Sequence, residues 1–253
     1  MSRISIIASN RDRFDLNTPS TQWFIKSLEH QTFKDFELVI ADGGSKNLDS
    51  IQEFCKKAKI KAKVVQYKLG EKFERAKMNN VGIRNATSPY IMTTDVDMFF
   101  ANKFVETLVG FLSPDTFIES RTMYWKAPLV QKIYRGLLDP FNDMESCKVG
   151  RIKKRTTAGG CQCASIDQWE KVRGFDERYV GWGSEDYDLL TRMEKSRAKV
   201  VWIGETRETI MVFHQPHAKN IKQELEEQKQ NKKLLNNVRS YRVNPDGWGG
   251  IDG

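Results

Sequence analysis

Short apolar runs alternate with helical patterns through the first hundred residues of the chain. The apolar runs predict strands at residues 4–8, 36–41, 63–67 and 90–94. Between them, Thr18 followed by Pro19 predicts the start of one helix, and residues 74–85 carry the pattern of another. Strands that alternate with helices in this way indicate βαβ units and a parallel sheet.

The alternation loosens after about residue 115 and returns near residue 159. Residues 126–158 have mixed charge and a basic cluster, and we expect loops there. Further strands are predicted at residues 117–125, 159–165, 199–204 and 209–213. Ser165 and Ser184 are predicted to cap two helices, and a polar helix over residues 218–238 precedes a loose, turn-rich tail, NPDGWGGIDG. The pattern predicts one α/β domain with a mixed, mainly parallel central sheet flanked by helices.

The composition is that of a globular protein with an excess of positive charge. Of 253 residues, 39% are hydrophobic and 29% are charged, and the formal net charge is +8 at pH 7. This excess favours an anionic partner, such as nucleic acid, a membrane surface or phosphate groups, without choosing among them. We see no secretory leader and no stretch that spans a bilayer, and the four cysteines lack zinc-type spacing. We therefore expect a cytoplasmic chain with reduced thiols.

The DVD motif is the first candidate for chemistry. Asp95 and Asp97 lie two apart at the end of the predicted strand 90–94, so an extended backbone turns both carboxylates to one side. Ligands bind beyond the carboxyl ends of strands in open α/β sheets. Two carboxylates on one face of a basic protein suit a divalent cation, Mn²⁺ or Mg²⁺, that also bridges to phosphate oxygens. The competing interpretation is a polar turn.

Polar side chains also follow the first two strands, the third helix and the last strand. These candidates are Ser9, Asn10, Arg11, Asp42, Lys77, Asn80 and His214. The carboxylate of Asp42 stands before two glycines and could accept hydrogen bonds from a base or a ribose, although aspartate is also common in such turns. The residues near Ser9 and Lys77 could hold a diphosphate or be solvated charge. A lone histidine is more often structural than a metal ligand.

The stretch GWGSEDYDLL combines an indole between two glycines with three acids. Acids in a first helical turn complement the helix dipole, which accounts for some of the charge and is our interpretation of Asp188. It does not account for Trp182, which could stack on a sugar face. Glu185 or Asp186 directly behind the indole could take a proton from a sugar hydroxyl. This combination indicates a carbohydrate-processing site.

These motifs carry a resemblance to known families. The stretches ASNRDR, HQTFKDFELVIADGGS and AKMNNVGIRNATSPYIMTTDVD resemble family 2 glycosyltransferases. The stretch GGCQCASIDQWEKVRGFDERYVGWGSEDYDLLTRM and the later MVFH resemble the catalytic region of β-1,4-galactosyltransferases and chondroitin-type polymerases. The resemblance covers about residues 4–217, with a poor match over residues 111–157. It implies the GT-A fold and transfer of a sugar from a UDP-sugar to a carbohydrate or glycoconjugate acceptor.

The resemblance also implies a role for each matched residue. Asp42 would contact uracil, and Asp97 would ligate Mn²⁺ with His214 and Met211. The backbone near Ser9, Asn10 and Arg11 would line the same pocket as Asp42, with Asp95 near the ribose or donor sugar and Gly159 and Gly160 beside the donor sugar. Lys77 and Asn80 are added as candidate donor residues because of their place on the helix before DVD. Trp182 would pack on the sugars, and Glu185 would hold their hydroxyls. Asp186 would be the general base of a direct, inverting displacement.

The implied organisation is one catalytic domain over residues 1–217, with a nucleotide-binding half (1–100) and an acceptor half (101–217), followed by a helix and tail (218–253). We expect no nucleic-acid partner, and the basic residues leave room for contact with a membrane surface. Ser184 and Tyr187 replace a glycine and an acid that the galactosyltransferase motif usually has, which leaves the acceptor open. The rival hypotheses are a retaining transferase of the same fold, a sugar-nucleotide pyrophosphorylase and a non-enzymatic basic binding protein.

Overall fold

The computed structural model describes residues 2–15, 18–152, 159–216 and 221–252 of the chain. Its strands are β1 (Ile4–Asn10), β2 (Phe36–Asp42), β3 (Lys61–Gln66), β4 (Tyr90–Asp95), β5 (Met98–Phe100), β6 (Thr116–Ser120), β7 (Thr122–Trp125), β8 (Gly150–Ile152), β9 (Cys161–Ser165), β10 (Lys199–Ile203), β11 (Val212–His214), β12 (Gly247–Trp248) and β13 (Ile251–Asp252). Its helices are α1 (Pro19–Glu29), α2 (Leu48–Lys57), α3 (Arg75–Arg84), α4 (Phe104–Gly110), α5 (Ala127–Tyr134), α6 (Met144–Cys147), α7 (Ile166–Val172), α8 (Glu185–Lys195) and α9 (Ile221–Leu235).

A seven-stranded sheet in the described part of the chain has the order β10-β6-β9-β4-β1-β2-β3. Strands β3, β2, β1 and β4 are parallel to one another, and β10 is parallel to β6. Strand β9 is antiparallel to both of its neighbours, β4 and β6, so β6 and β10 point the same way as β4. The carboxyl ends of the parallel strands therefore lie along one edge. The predicted mixed, mainly parallel sheet is confirmed.

Helices cover both faces of this sheet, which explains why its central strands are apolar along most of their length. Every residue of β1 and of β2 is buried. Ile6 of β1 joins a cluster with Phe24 of α1 and Phe104 of α4. Its neighbour Ile7 joins a different cluster with Trp169 of α7. A strand whose alternate side chains each meet a core produces a nearly continuous apolar run in the sequence.

A second sheet, in the order β5-β11-β7-β8, begins immediately after the DVD motif. Strand β5 starts at Met98, one residue beyond Asp97, and β11 pairs antiparallel with it so that His214 lies opposite Met98. Strand β11 is also parallel to β7, where His214 lies opposite Tyr124. This pairing brings Asp97 and His214, which are far apart in sequence, to the same corner of the fold.

The structure differs from the predicted elements between residues 117 and 158. The single strand predicted over residues 117–125 is two strands, β6 and β7, which belong to different sheets. An apolar pattern does not show where a buried segment passes from one sheet to another. Residues 126–158, expected as loops, include α5, α6 and β8. Pro128 in the first turn of α5 marks that helix start, and Val130 and Ile133 form its buried face.

The C-terminal tail, expected to be loose, docks against the body of the protein. Strands β12 and β13 form a hairpin, and Trp248 is only 7% exposed. Its ring lies against Gly174, and the guanidinium carbon of Arg84 is 5.1 Å from the ring centroid. The Gly249 N–H donates to Glu177 Oε1 at 2.7 Å. The turn residues of the tail therefore fold a hairpin around a buried tryptophan.

Helix α9 is polar and packs against α8, while β12 contacts α3. No helix within the described ranges combines the length and the apolar composition that a membrane crossing requires. The division of the chain between residues 217 and 218 stays a prediction, because residues 217–220 lie outside the described ranges.

Replacing Trp248 with alanine tests whether the tail is part of the folded unit. We expect Trp248→Ala to lower the free energy of unfolding by about 3 kcal/mol, the usual size of the effect for a buried aromatic side chain. Urea denaturation followed by circular dichroism measures the change. Tyr241→Ala is the control, because Tyr241 is 39% exposed and its loss should be nearly neutral. Equal midpoints for both variants would show that the hairpin contributes nothing to folding.

Candidate active site

Three strand ends meet at the carboxyl edge of the large sheet. In the register of the sheet, Asn10 at the end of β1 lies opposite Asp42 at the end of β2. Ser9 lies opposite Asp95 at the end of β4. The polar residues that follow β1, β2 and β4 therefore lie side by side, as expected for a ligand site at this edge.

Arg75 joins three acids at the centre of this edge. Its Nε donates to Asp95 Oδ1 at 2.8 Å, and its Nη1 donates to Glu185 Oε1 at 3.0 Å and to Asp186 Oδ1 at 2.9 Å. The Arg75 side chain is 11% exposed. The first residue of α3, the last residue of β4 and the first two residues of α8 are thus held together by one guanidinium. Arg75 is not among the residues predicted from the sequence, although it lies two residues before Lys77 on the same helix.

Burial and pairing shift the pKa values of these groups in different directions. Burial raises the pKa of Glu185 to about 7, the adjacent Asp186 adds to the rise, and Arg75 opposes it. Burial also acts to raise the pKa of Asp95, but the contact with Arg75 outweighs it and the pKa is lowered. The carboxylates outweigh the burial of Arg75, whose pKa is raised. With a pKa of about 7, Glu185 exchanges a proton near neutral pH.

The second carboxyl oxygen of Glu185 fits a ligand hydroxyl. Glu185 is 4% exposed, and its Oε2 has no hydrogen-bond partner among the described residues. A buried carboxyl oxygen normally has a partner, so this atom is suited to a hydroxyl group of a bound molecule. A carboxyl group with a pKa near 7 can donate or accept that hydrogen bond.

The loop before α8 has an unusual backbone. Gly181, Gly183 and Ser184 all have positive φ, at 73°, 97° and 78°. Ser184 occupies the N-cap position, as predicted, but its side chain makes no capping hydrogen bond. Trp182 between the glycines is 42% exposed. The loop therefore presents an indole to solvent three residues before Glu185, and its packing on a sugar stays a prediction.

Asp188 has a different role from the one expected. Its Oδ2 accepts from Arg192 Nε at 2.7 Å, and both side chains are almost fully buried. Arg192 also donates to the carbonyl of Gly174 at 2.9 Å. Asp188 is thus the partner of a buried arginine inside the fold, and the interpretation as helix-dipole charge alone is wrong.

The paired glycines lie against the acids and the second sheet. A Cβ atom at Gly159 would come within 2.2 Å of Asp186 Oδ2, and one at Gly160 within 2.4 Å of Thr122 Oγ1. Both glycines have φ above 100°. Gly159 therefore lets the backbone approach the Asp186 carboxylate, an approach that any side chain would block.

Two of the three predicted metal ligands come together. Asp97 Oδ1 lies 3.8 Å from His214 Nε2, and Arg13 Nη1 lies 3.8 Å from Asp97 Oδ2. The His214 ring stacks on Tyr124 with centroids 4.8 Å apart. Carboxylate and imidazole ligands fit Mn²⁺. Met211 packs against two apolar clusters and its carbonyl accepts from the Ala101 N–H, so its ligation stays a prediction.

Asp97 and His214 would fill only part of the coordination shell of such an ion. Among the described residues, no group of three or more His, Cys, Asp or Glu side chains is arranged to hold a metal. Water and substrate oxygens can complete the shell. Mg²⁺ and similar ions commonly take such oxygens from phosphate groups.

Asp42 organises the edge of the sheet instead of facing outward. It is fully buried, and it accepts hydrogen bonds from the Gly44 and Ser45 N–H groups, from Ser45 Oγ and from Asn10 Nδ2. Asn10 Oδ1 in turn accepts from the Phe14 N–H at 2.7 Å. These bonds fix the loops after β1 and β2. Contact of Asp42 with a base stays a prediction.

The predicted donor residues on α3 and after β1 have other contacts. Asn80 is fully buried, and it donates to the Phe175 carbonyl at 2.9 Å and to Glu177 Oε1 at 2.8 Å. The amide of Asn80 ties α3 to residues 175–177, and its contact with a donor stays a prediction. Lys77 Nζ lies 5.0 Å from the centroid of the Tyr67 ring. Arg11 Nη1 donates to the Gly70 carbonyl at 2.6 Å and so connects the loop after β1 to the segment before α3.

Two family profiles match the chain on either side of its middle. The family described as Glycosyl transferase family 2 matches residues 18–124. The family described as N-terminal domain of galactosyltransferase matches residues 143–215. The first match contains Arg75 and the DVD motif, and the second contains the paired glycines, the GWGSED loop and His214. The site is assembled from both matched regions.

Curated relatives match the chain over shorter stretches. An uncharacterized glycosyltransferase of Rickettsia conorii is 32% identical over 118 residues, which are 45% of this chain and 19% of the relative. Beta-1,4-galactosyltransferase 4 of Homo sapiens is 40% identical over 65 residues, which are 25% of this chain and 19% of the relative. The matched region thus spans about a fifth of the length of these relatives.

Solved structures share the fold at low sequence identity. S. aureus TarS in complex with UDP-GlcNAc has a TM-score of 0.61 and 13% identity, over 86% of this chain and 60% of that chain. The mannosyltransferase PcManGT from Pyrobaculum calidifontis, in complex with GDP-Man and Mn²⁺, has a TM-score of 0.55 and 14% identity, over 87% of this chain and 58% of that chain. At these identities the likeness establishes the fold alone.

The raised pKa of Glu185 predicts a pH-dependent effect on stability. With a native pKa of about 7 against an ordinary value of 4.5, Glu185 keeps its proton in the folded state at pH values where the unfolded chain releases it. Its contribution to stability is therefore full below pH 4.5 and is lost as the pH rises through 7. Glu185→Gln removes the titrating carboxyl group and with it this loss. The difference in free energy of unfolding, variant minus wild type, should therefore increase by about 2–3 kcal/mol from pH 5 to pH 8.

Urea denaturation at both pH values measures this change. Glu226→Gln on α9 is the control, because Glu226 is exposed and should give the same difference from wild type at each pH. A Glu185→Gln difference that is equal at pH 5 and pH 8 would contradict a native carboxyl group that titrates near neutrality.

Proposed function

We propose that this chain, which has the GT-A fold and matches the family 2 glycosyltransferase profile in its N-terminal region and the galactosyltransferase profile in its C-terminal region, is a glycosyltransferase. In this proposal it transfers a hexose or an N-acetylhexosamine from a UDP-sugar to a hydroxyl group of a carbohydrate acceptor. The observation that carries this proposal is the contact of Arg75 with Asp95, Glu185 and Asp186. This contact joins the end of β4, which carries the first acid of the DVD motif, to the start of α8, which follows the loop with the exposed Trp182.

The donor side is supported by the strand ends and by the fold neighbours. S. aureus TarS binds UDP-GlcNAc and PcManGT binds GDP-Man with Mn²⁺, and both have the fold of this chain. In our proposal the nucleotide lies along the ends of β1 and β2, with its diphosphate near Asp95 and Asp97. Gly159 and Gly160 lie beside the donor sugar, where a side chain would strike Asp186 or Thr122.

Mn²⁺ is the proposed cofactor, held by Asp97 and His214 with Met211 as a further candidate. When bound, it offsets the negative charge that grows on UDP as the sugar leaves. The protein's own acids make this help necessary, because Asp95, Asp97 and Asp186 would otherwise repel a diphosphate. Arg75 compensates for part of that charge and holds the acids in fixed positions.

Asp186 is the proposed general base. Arg75 holds its Oδ1, and its Oδ2 faces the backbone of Gly159. The acceptor hydroxyl gives its proton to Asp186 while its oxygen forms a bond to the anomeric carbon, and the bond from that carbon to UDP breaks with its electron pair going to UDP. Attack from the face opposite UDP inverts the anomeric configuration. Asparagine at this position could not accept the proton.

Glu185 and Trp182 hold the sugars in this scheme. Near neutral pH, Glu185 can donate or accept through Oε2, so it can bind a hydroxyl of the donor or of the acceptor. The exposed ring of Trp182 supplies a flat apolar surface for a sugar face. These roles agree with the separation of the two acids, since Glu185 is buried and Asp186 is closer to solvent, at 4% and 19% exposure of the side chain.

A UDP-release screen with Asp186→Asn tests the proposal. The wild-type chain is assayed with Mn²⁺ against several UDP-sugars, with and without p-nitrophenyl glycosides as acceptors. We expect Asp186→Asn to lower transfer by about 10²–10⁴-fold, the usual contribution of a general base, and to leave UDP affinity in Mn²⁺ unchanged. Asp167→Asn, on the exposed face of α7, is the control and should behave as wild type. Undiminished transfer by Asp186→Asn would show that Asp186 is not the general base.

A further inference from the structure

The loop that carries Trp182 has little backbone support from regular structure. Gly181, Gly183 and Ser184 have positive φ, which excludes helix and strand pairing through the loop. The Gly181 N–H donates to the Phe73 carbonyl at 3.2 Å, and the Ser184 carbonyl accepts from the Asp188 N–H in α8. Side chains of α9 bind the Trp182 N–H and the carbonyls of residues 180, 182 and 183. We propose that Glu227 and Asn231 of α9 are positioning residues that hold Trp182 in place for the acceptor sugar.

Asn231 provides the first half of the contact. Its Nδ2 lies within hydrogen-bond distance of three loop carbonyls, at 3.2 Å from Val180, 3.3 Å from Trp182 and 3.0 Å from Gly183. Asn231 is 4% exposed, although it lies on a helix whose neighbouring lysines face solvent. A side-chain amide buried against three backbone carbonyls fixes the path of the chain through the loop, because carbonyls without a donor are costly to bury.

Glu227, one turn earlier on α9, provides the second half. Its Oε2 accepts from the Trp182 N–H at 2.9 Å, while its Oε1 accepts from Gln223 Nε2 at 2.8 Å. The carboxylate lies so close to the loop that a Cβ atom at Gly181 would come within 2.3 Å of it. Glu227 and Asn231 thus bind the donor and the acceptors of the same short loop from one helix face.

The contact between α9 and the loop affects the reaction because the loop immediately precedes the two site acids, Glu185 and Asp186. Its last residue, Ser184, precedes Glu185 and Asp186, and its carbonyl accepts from the Asp188 N–H in the first turn of α8. A loop released from α9 would move the indole first, since Arg75 holds the two acids independently. The acceptor side should therefore depend on α9, and the donor side should not. This inference rests on the proposed function, and it adds a role for the C-terminal helix.

Three variants and two controls separate a positioning role from a merely structural one. Asn231→Asp keeps the size of the side chain but replaces the donor with a carboxylate that the three carbonyls repel. Glu227→Ala removes the acceptor of the Trp182 N–H, whereas Glu227→Gln retains an oxygen that can accept it. The matched controls are Asn236→Asp and Glu226→Ala, which make the same changes at exposed positions of the same segment.

Hydrogen exchange of the loop is the first measurement. We expect amides of residues 181–184 to exchange about tenfold faster in Asn231→Asp and Glu227→Ala, because the hydrogen bonds that close the loop are lost. Glu227→Gln should stay close to wild type, and both controls should match it. Exchange rates for residues 181–184 that are equal to wild type in every variant would overturn the proposal. This outcome does not depend on whether the chain has measurable transferase activity.

Transfer kinetics with p-nitrophenyl glycosides as acceptors are the second measurement. The acceptor KM should rise about tenfold in Asn231→Asp and Glu227→Ala, with Glu227→Gln restoring most of it, as expected for lost binding that does not change the chemical step. UDP affinity in Mn²⁺ should stay at the wild-type value. A fall in UDP affinity with an unchanged acceptor KM would overturn the positioning role. If the wild-type chain itself releases no UDP, the proposed function fails. That result differs from an active wild-type enzyme whose acceptor KM is unchanged by the α9 substitutions, which would overturn only the positioning role.

Discussion

The buried guanidinium of Arg75 is the interaction on which the site depends. It forms hydrogen bonds with Asp95, Glu185 and Asp186, which come from β4 and α8. Without this charge, three carboxylates would repel one another in a largely water-excluded place, and such uncompensated charge is strongly destabilising. Burial raises the pKa of Glu185 to about 7 against the opposing effect of Arg75, and the Asp186 oxygen that Arg75 does not bind lies next to Gly159. The same guanidinium thus bears on both stability and chemistry at this edge.

The two helices that begin at the site are each supported by the C-terminal segment. The β12–β13 hairpin contacts α3 and encloses Trp248, while Glu227 and Asn231 of α9 bind the loop that precedes α8. Asp188 and Arg192 anchor α8 from within the core. A tail that looks polar and turn-rich in the sequence therefore belongs to the scaffold of the site.

The sequence predicts the parts of the site that are contiguous motifs. DVD and GWGSED each place several functional groups within a few residues, and the apolar strand before DVD indicates the sheet edge. Arg75 has no such local signal, because its importance comes from acids that lie 20 and 110 or more residues away. The buried contacts of Asn80 have no local signal either, since a polar residue on a helix near a motif can face the interior. The sequence contains no sign of the hydrogen bonds that occupy its amide.

Calorimetric titration of UDP into the wild-type chain, in Mn²⁺ and again in EDTA, tests the central claim most directly. A donor site whose acids need a divalent cation to accept a diphosphate should bind UDP in Mn²⁺ and lose most of that affinity in EDTA. Asp97→Asn should lower the affinity in Mn²⁺ toward the EDTA value. Equal binding in both conditions, or no binding in either, would contradict the account of this edge as a metal-assisted glycosyltransferase site.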